Sequence, residues 1–122
     1  MRTIMVLNAK GGCGKSTLIT NLASYYATKG QTVALADFDV QASSLQWLAA
    51  RPAECAPIHG VAAVDGALRL PRDCKVALLD TPAAVHGRHV GELVRRAQSI
   101  VMPVLPSPMD IRAAAHFVRD LF

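Results

Sequence analysis

The sequence predicts an α/β protein in which helices cover both faces of a mostly parallel β-sheet. Short apolar runs of strand length alternate along the chain with segments of helical apolar spacing, and this alternation is typical of parallel sheets. Apolar residues make up 52% of the sequence and aromatic residues only 5%, as expected for aliphatic strands buried on both faces. The 122 residues have the length of a single domain, and we assign residues 1–122 to it.

The first half of the chain contains two predicted strands and two predicted helices. Residues 3–7 and 32–36 are β-rich apolar runs, which predicts strands. Residues 16–28 carry apolar side chains at helical spacing, and Gly30 is placed to end that helix. A second helix is predicted from about residue 43 to residue 50, where a proline follows.

The second half of the chain begins with its least regular part. Within residues 53–74 we expect a short strand near Ile58 and a short helix over about 64–68. Residues 75–79 form an apolar run that leads into an acidic residue, which predicts a further strand.

A helix, a strand and a last helix are predicted for the remainder. Residues 90–97 have helical spacing, residues 99–104 are strand-like, and a proline-rich turn precedes a helix from about residue 109. That helix still carries apolar residues at its last positions and lacks a closing signal. We therefore expect that the sequence continues beyond Phe122 and that the sheet is cut short after four to five strands.

Several classes of protein are excluded by composition. The most apolar run, residues 100–105, is interrupted by Pro103, and a spanning helix needs about 20 apolar residues. The apolar stretch near the N-terminus is too short for a signal peptide, so we expect a soluble, cytoplasmic protein without a membrane span. Three cysteines without C-x-x-C spacing indicate neither a disulfide framework nor a zinc site. The net charge of +4 is too small to identify a partner.

A glycine-rich segment between the first strand and the first helix predicts a phosphate site. It reads G-G-C-G-K-S-T and matches the end of the Walker A pattern, with Ala9 where the first glycine usually stands. Glycines let the backbone N–H groups approach a triphosphate, and the helix N-terminus adds a partial positive charge. Lys15 supplies a charge at the β- and γ-phosphates, Ser16 a hydroxyl ligand for Mg²⁺, and Thr17 can reach the α-phosphate. The alternative is a glycine-rich turn without a ligand.

Two acidic residues are predicted at the same edge of the sheet. Asp80 follows an apolar strand, the Walker B arrangement that brings a carboxylate to Mg²⁺. Asp39 follows the second strand, where it can orient or activate the attacking water. The alternative for either residue is a cap of the next helix or turn.

Three motifs together resemble the ParA/MinD superfamily of ATPases with a deviant Walker A motif. Residues 10–17 resemble its K-G-G-x-G-K-(S/T) motif, residues 37–41 its D-x-D-x-Q segment with Val40 in place of the common proline, and residues 79–82 its Walker B. The resemblance extends from residue 3 to the end of the chain and implies a P-loop nucleoside triphosphatase fold.

The resemblance implies a full set of site residues. ATP or ADP would be bound by Lys10, Gly11, Gly12, Cys13, Gly14, Lys15, Ser16 and Thr17. Mg²⁺ would be bound by Ser16 and, through water, by Asp39 and Asp80. The residues implied in catalysis are Lys10, Lys15 and Asp39, with Lys10 reaching the phosphates of a partner protomer. Asp37 would support Mg²⁺ less directly, and residues 82–89 would form a switch region that senses the γ-phosphate.

The function that the resemblance implies is slow ATP hydrolysis in plasmid or chromosome partitioning. Short ParA-type partition ATPases are the most similar group, and they form a homodimer with ATP. A centromere-binding protein is the expected partner. Nonspecific DNA is a further one, although the region that usually binds it would lie beyond Phe122.

Other functions stay open at this point. A MinD-like ATPase would position a membrane or protein complex, and a P-loop kinase would need an acceptor pocket for a small metabolite. The nitrogenase iron-protein branch is excluded because Cys55 and Cys74 do not resemble its cluster ligands. His86 and His89 are too few for a metal site, and Arg95 and Arg96 are better explained as a solvated helix face than as a DNA contact.

Overall fold

A computed structural model describes residues 1–7, 14–39, 43–63, 68–81 and 88–121 of the protein. In chain order the described elements are β1 (Arg2–Val6), α1 (Lys15–Thr28), β2 (Val33–Asp37), α2 (Ser43–Ala49), β3 (Ile58–Ala62), β4 (Val76–Asp80), α3 (Arg88–Arg96), β5 (Ser99–Val101) and α4 (Pro108–Leu121). The alternation of strands and helices agrees with the prediction. The helix expected over about 64–68 lies almost entirely outside the described residues.

The strands that the structure describes form one parallel sheet in the order β3-β2-β4-β1-β5. The order reverses around β1 and β4, which lie side by side in the centre although 69 residues separate Val6 from the start of β4 at Val76 in sequence. In a doubly wound sheet, ligands bind where such strands diverge at their carboxyl ends. The confirmed fold therefore predicts a ligand site at the carboxyl ends of β1, β2 and β4.

Side chains alternate between two apolar layers on opposite faces of the sheet. Ile4, Val6, Val33, Leu35, Val76 and Leu78 pack on one face with Ile19, Ala23 and Ala27 of α1. Met5, Leu7, Ala36 and Leu79 pack on the other face with Leu93 of α3 and Phe117 of α4. Because alternate residues of a strand face opposite ways, runs that are apolar throughout serve both layers. Helices thus lie on both faces, as predicted.

Both ends of α1 depend on glycine in the left-handed conformation. Gly14 precedes the helix with φ 81°, and its carbonyl accepts from the Leu18 N–H at 3.0 Å. Gly30 follows the helix with φ 82°, and its N–H donates to the carbonyl of Ala27 at 3.0 Å. The Gln31 N–H donates to the carbonyl of Tyr26 at 3.2 Å, which completes a Schellman motif. The predicted helix end at Gly30 is confirmed.

Strand β5 is shorter than predicted. It ends at Val101 instead of continuing to residue 104. Val101 pairs with Val6, the last residue of β1, so the two strands end at the same register pair. Pro103 also lacks the N–H that a longer ladder would require.

Helix α4 begins with a capping arrangement that the sequence contains but that was not predicted. The Asp110 N–H donates to Ser107 Oγ at 3.2 Å, and the Ser107 hydroxyl donates to the Asp110 carboxylate. Pro108 occupies the first helical position, where a missing N–H carries no cost. These residues explain why the helix begins at 108.

The segment between α2 and β4 contains the expected strand. β3 covers Ile58–Ala62 and lies at the edge of the sheet beside β2. Arg51, just after α2, donates to the carbonyl of Ala56 at 2.8 Å and to Ser24 Oγ of α1 at 3.3 Å. Its guanidinium also lies 5.3 Å from the centre of the half-buried Trp47 ring. This arginine joins α1, α2 and the loop that leads into β3.

Among the described residues, no helix has both the length and the apolar character that crossing a membrane requires.

Candidate functional site

The ends of β2 and β4 place two buried carboxylates side by side. Asp37 and Asp80 are the last residues of these strands and are register partners. Asp80 is also the partner of Val6, at the end of β1. The exposed fractions are 0% for Asp37 and 2% for Asp80, so hydrogen bonds or ion pairs must compensate their lost hydration.

Asp80 is held by partners at both carboxylate oxygens. Lys15 Nζ donates to Oδ1, and the side chains of this ion pair are 12% and 3% exposed. The Ser44 hydroxyl donates to Oδ2, and Ser44 is fully buried. The structure thus brings together Lys15 and Asp80, two of the predicted site residues. It adds Ser44, for which the sequence carries no recognised motif signal.

Asp37 organises the turn that follows β2. Its Oδ1 accepts from the Asp39 N–H at 3.0 Å, and its Oδ2 accepts from the N–H groups of Ser44 at 3.2 Å and Leu45 at 3.4 Å. A carboxylate that accepts N–H groups from a first helical turn satisfies donors that have no partner within the helix. Asp37 therefore caps α2, and the indirect support of Mg²⁺ that the resemblance implies stays a prediction.

The charge of Asp37 is opposed by its surroundings. Burial raises the pKa of the Asp37 carboxyl above its ordinary value. The hydrogen bond from the Asp39 N–H lowers this pKa, and the nearby Asp80 carboxylate raises it. The pair of Lys15 with Asp80 places a positive charge beside these carboxylates.

Asp39 lies two residues beyond β2 and is half-buried. Its backbone is fixed by Asp37 through the hydrogen bond described above. The predicted position at the carboxyl edge of the sheet is therefore correct for both Asp39 and Asp80. Whether either carboxylate serves in metal binding or hydrolysis stays a prediction.

The N-terminus of α1 has the features of an anion site. No side chain of the described part of the chain caps it, and its first turn contains no acidic residue. Ser16 and Thr17 are exposed there, with backbone N–H groups that lack intrahelical partners. Such a terminus favours a phosphate group, and Lys15 adds a full positive charge.

Thr81 connects the end of β4 to the end of β1. Its hydroxyl donates to the carbonyl of Val6 at 2.9 Å, and its N–H donates to the same carbonyl at 3.2 Å. Thr81 is 1% exposed. This threonine fixes the spacing between the strand that carries Asp80 and the strand that leads into the glycine-rich segment.

Ser16 and Asp80 together fit a Mg²⁺ ion bound with a nucleotide. A hydroxyl and a carboxylate are the hard oxygen donors that Mg²⁺ prefers, and Mg²⁺ usually takes its other ligands from phosphate and water. In the described residues no group of three or more His, Cys, Asp or Glu side chains could hold a metal by itself. The donor set is therefore suited to an ion that arrives with phosphates.

Some predicted residues lie outside the described part of the structure. These include Lys10, Gly11, Gly12 and Cys13 of the phosphate loop, as well as Gln41. The segment from Pro82 to His86 and the side chain of His89 also fall outside it. The switch region therefore stays a prediction, as does the interpretation that His86 and His89 are too few for a metal site.

The remaining candidates have ordinary structural environments. Arg95 and Arg96 are exposed in the last turn of α3, where cations interact favourably with the helix dipole. Of the described cysteines, Cys55 is exposed and Cys74 is buried, and both are free.

Comparisons with known proteins agree with the architecture. Residues 4–120 match the CbiA family, described as the CobQ/CobB/MinD/ParA nucleotide binding domain. A maintenance of carboxysome distribution protein A from Gloeobacter kilaueensis is 33% identical over 114 residues, which are 90% of this chain and 52% of that protein. The protein of the same name from Halothiobacillus neapolitanus is 30% identical over 124 residues, with 96% of this chain and 56% of that protein covered.

A chromosome-partitioning ATPase, Soj from Thermus thermophilus, matches a shorter part. It is 43% identical over 51 residues, which are 42% of this chain and 20% of that protein. The chain thus spans about half the length of the two relatives that match most of it.

Proposed function

The chain belongs to the family of CobQ/CobB/MinD/ParA nucleotide-binding domains, and on that premise we propose that it is an ATPase switch of the ParA type. It binds ATP with Mg²⁺, forms a homodimer in that state and hydrolyses ATP slowly. The proposal deepens what family membership establishes, which is a nucleotide-binding domain.

One observation carries the proposal most directly. Lys15, the first residue of α1, reaches the carboxylate of Asp80 at the end of β4. A lysine at an uncapped helix N-terminus and a carboxylate at the neighbouring strand end are the two charges that a Mg²⁺–phosphate group requires. In the described residues these charges neutralise each other, and a bound nucleotide would give each a new partner.

The proposed reaction is attack of water on the γ-phosphorus of ATP. The bond from this phosphorus to the bridging oxygen breaks, and ADP and phosphate are released. Lys15 stabilises negative charge on the phosphates, and Asp39 orients the water. Lys10 supplies a second positive charge to the nucleotide of a partner protomer. Ser16 would hold Mg²⁺, with Asp39 and Asp80 acting through water, and the ion would supply positive charge beside the phosphates.

The cargo of the switch has two candidates. Plasmid or chromosome partitioning, with a centromere-binding partner and nonspecific DNA, is supported by the resemblance to Soj. Positioning of a cellular body is supported by the two relatives named for carboxysome distribution, which match 90% and 96% of the chain. The longer matches favour the second candidate, and both require the same ATP cycle.

The ATP cycle is tested with Lys15→Ala and Asp39→Ala in the 122-residue protein. Binding of a fluorescent ATP analogue with Mg²⁺ and release of phosphate are measured for each variant. Lys15→Ala is expected to lose nucleotide binding because the phosphates lose their charge partner. Asp39→Ala is expected to retain binding but to lose turnover by about 100-fold or more, the usual cost of removing one group that acts in the transition state.

Two exposed residues near the amino ends of β2 and β4, away from the candidate site at the carboxyl ends, provide matched controls. Lys29→Ala removes a lysine at the other end of α1, and Asp73→Ala removes an aspartate just before β4. Both variants should bind and hydrolyse ATP as the wild-type protein does. Normal turnover in Asp39→Ala would contradict the assignment of roles, and absence of ATP binding by the wild-type protein would contradict the proposed function itself.

A further inference from the structure

We propose that Ser44 is a positioning residue that holds the Asp80 carboxylate for Mg²⁺ and ties it to the turn that carries Asp39. The inference rests on the proposed function, since it assigns a role in the same nucleotide site. It concerns a residue that neither the sequence motifs nor the comparisons single out.

Ser44 makes two hydrogen bonds in opposite directions. Its hydroxyl donates to Asp80 Oδ2, and its backbone N–H donates to Asp37 Oδ2 at 3.2 Å. The first bond leads to β4 and the second to β2. Ser44 lies in the first turn of α2 and has no exposed surface. It is therefore the junction between the two buried carboxylates of the sheet edge.

A continuous chain of contacts passes through this junction. It begins at Lys15 Nζ, continues through both oxygens of Asp80 to Ser44, and passes through both oxygens of Asp37 to the N–H of Asp39. Each link joins groups that are buried or half-buried, where hydrogen bonds to charged groups are strongest. The residue proposed to contact phosphate and the residue proposed to orient water are thus connected through Ser44.

The orientation of the Asp80 carboxylate depends on Ser44 once nucleotide binds. Lys15 would then turn towards the phosphates and release Oδ1 for the Mg²⁺ shell. Ser44 would remain on Oδ2 and keep the carboxylate from rotating. Groups that orient a metal-binding carboxylate in this way typically affect metal affinity by 10- to 100-fold.

The first arm of the test needs no nucleotide. A double-mutant cycle of Ser44→Ala and Asp80→Ala is measured by urea unfolding, with the exposed neighbour Ser43→Ala as the matched control. We expect the Ser44 and Asp80 substitutions to be coupled by about tenfold in the unfolding equilibrium constant, as for a hydrogen bond to a charged group. Ser43→Ala should combine additively with Asp80→Ala, because its exposed side chain lies outside the network.

The second arm separates positioning of the metal from general support of the fold. Binding of the non-hydrolysable analogue AMP-PNP is measured by calorimetry with MgCl₂ and with EDTA. In Ser44→Ala the tightening by Mg²⁺ should fall about tenfold, while affinity in EDTA changes by less than about twofold. A merely structural role would weaken binding equally under both conditions.

The outcomes distinguish the two proposals. An additive cycle, or an unchanged Mg²⁺ effect in Ser44→Ala, would overturn the role of Ser44 while the ATPase proposal stands. If the Ser44 and Asp80 substitutions are coupled but the wild-type protein binds no AMP-PNP, the link between the two residues is supported and the ATPase proposal is overturned. Coupling together with a reduced Mg²⁺ effect supports both.

Discussion

Asp80 is a buried residue with a structural role, to which the proposed function adds a chemical one. It accepts from Lys15 and from Ser44, so its charge is compensated inside the protein. A buried ion pair contributes little net stability, because the loss of hydration offsets the attraction between the charges. Lys15 can therefore exchange this partner for a phosphate only where another cation compensates the buried Asp80 charge, because an unpaired buried carboxylate is strongly destabilising.

The two described cysteines should differ strongly in reactivity. Cys55 is exposed, whereas Cys74 is 6% exposed and its thiol donates to the carbonyl of Val76 at 3.3 Å. Burial raises the pKa of the Cys74 thiol, so the reactive thiolate is scarcer at pH 8. We expect iodoacetamide to modify Cys55 at least about tenfold faster than Cys74.

Peptide mapping by mass spectrometry checks this expectation and separates both residues from Cys13. Labelling in urea provides the control, because the two thiols should react at similar rates once the chain is unfolded. Equal rates in the folded protein would mean that β4 opens readily at its start, where Cys74 lies.

At the scale of elements, α2 packs closely against β3, an outer strand of the sheet. Gly60 of β3 faces Leu45 and Leu48 of α2. A Cβ at this glycine would lie 3.0 Å from a methyl group of each leucine. Because residue 60 has no side chain beyond Cα, α2 can pack closely against β3. The same packing brings Ser44 of α2 close to Asp80.

Gly60→Ala should lower the free energy of unfolding by about 1 kcal/mol, since both leucines must shift to admit the new methyl group. Gly91→Ala is the matched control. Gly91 is exposed within α3, and a Cβ there meets no atom of the described residues within 4 Å. Alanine is the better helix former, so this variant should gain about 0.5–1 kcal/mol.

Urea unfolding followed by circular dichroism measures both variants. A Gly60→Ala protein at least as stable as the wild type would mean that the two leucines relax without loss of packing. The close approach would then not be what sets the position of α2.

At the scale of the whole molecule, the described site residues converge on one edge of the sheet from β2, β4, α1 and α2. A ligand that bridges these elements stabilises the folded state as a unit, because it binds the native form and not the unfolded chain. Stability should therefore depend on nucleotide and on Mg²⁺.

Addition of ATP with Mg²⁺ at about 100 times its dissociation constant should raise the free energy of unfolding by about 2.7 kcal/mol. Thermal unfolding with ATP and MgCl₂, with ATP and EDTA, and with MgCl₂ alone provides the measurement. Lys15→Ala should show no shift with ATP, and Lys29→Ala should behave as the wild type. An equal shift in Lys15→Ala would place nucleotide binding elsewhere on the molecule.

The amino-acid sequence was enough to predict most elements of the fold and the positions of Lys15, Asp39 and Asp80 within it. Apolar runs identified β2 and β4, because these two strands are buried on both faces and are apolar up to the aspartate that ends each of them. Motif spacing identified Lys15, and the rule that ligands bind at the carboxyl ends of parallel strands placed Asp39 and Asp80 at one edge. These signals are local, so neighbouring residues are enough to read them.

Only the tertiary structure decided which residues meet at that edge. The strand order brings together elements that are far apart in sequence. The bond from Ser44 to Asp80 joins positions 36 residues apart, and the capping of α2 by Asp37 joins Asp37 to Ser44, seven residues later. The early end of β5 likewise follows from the end of its partner strand β1. Such contacts depend on how whole elements pack, and Ser44 has no local pattern that distinguishes it from an ordinary turn residue.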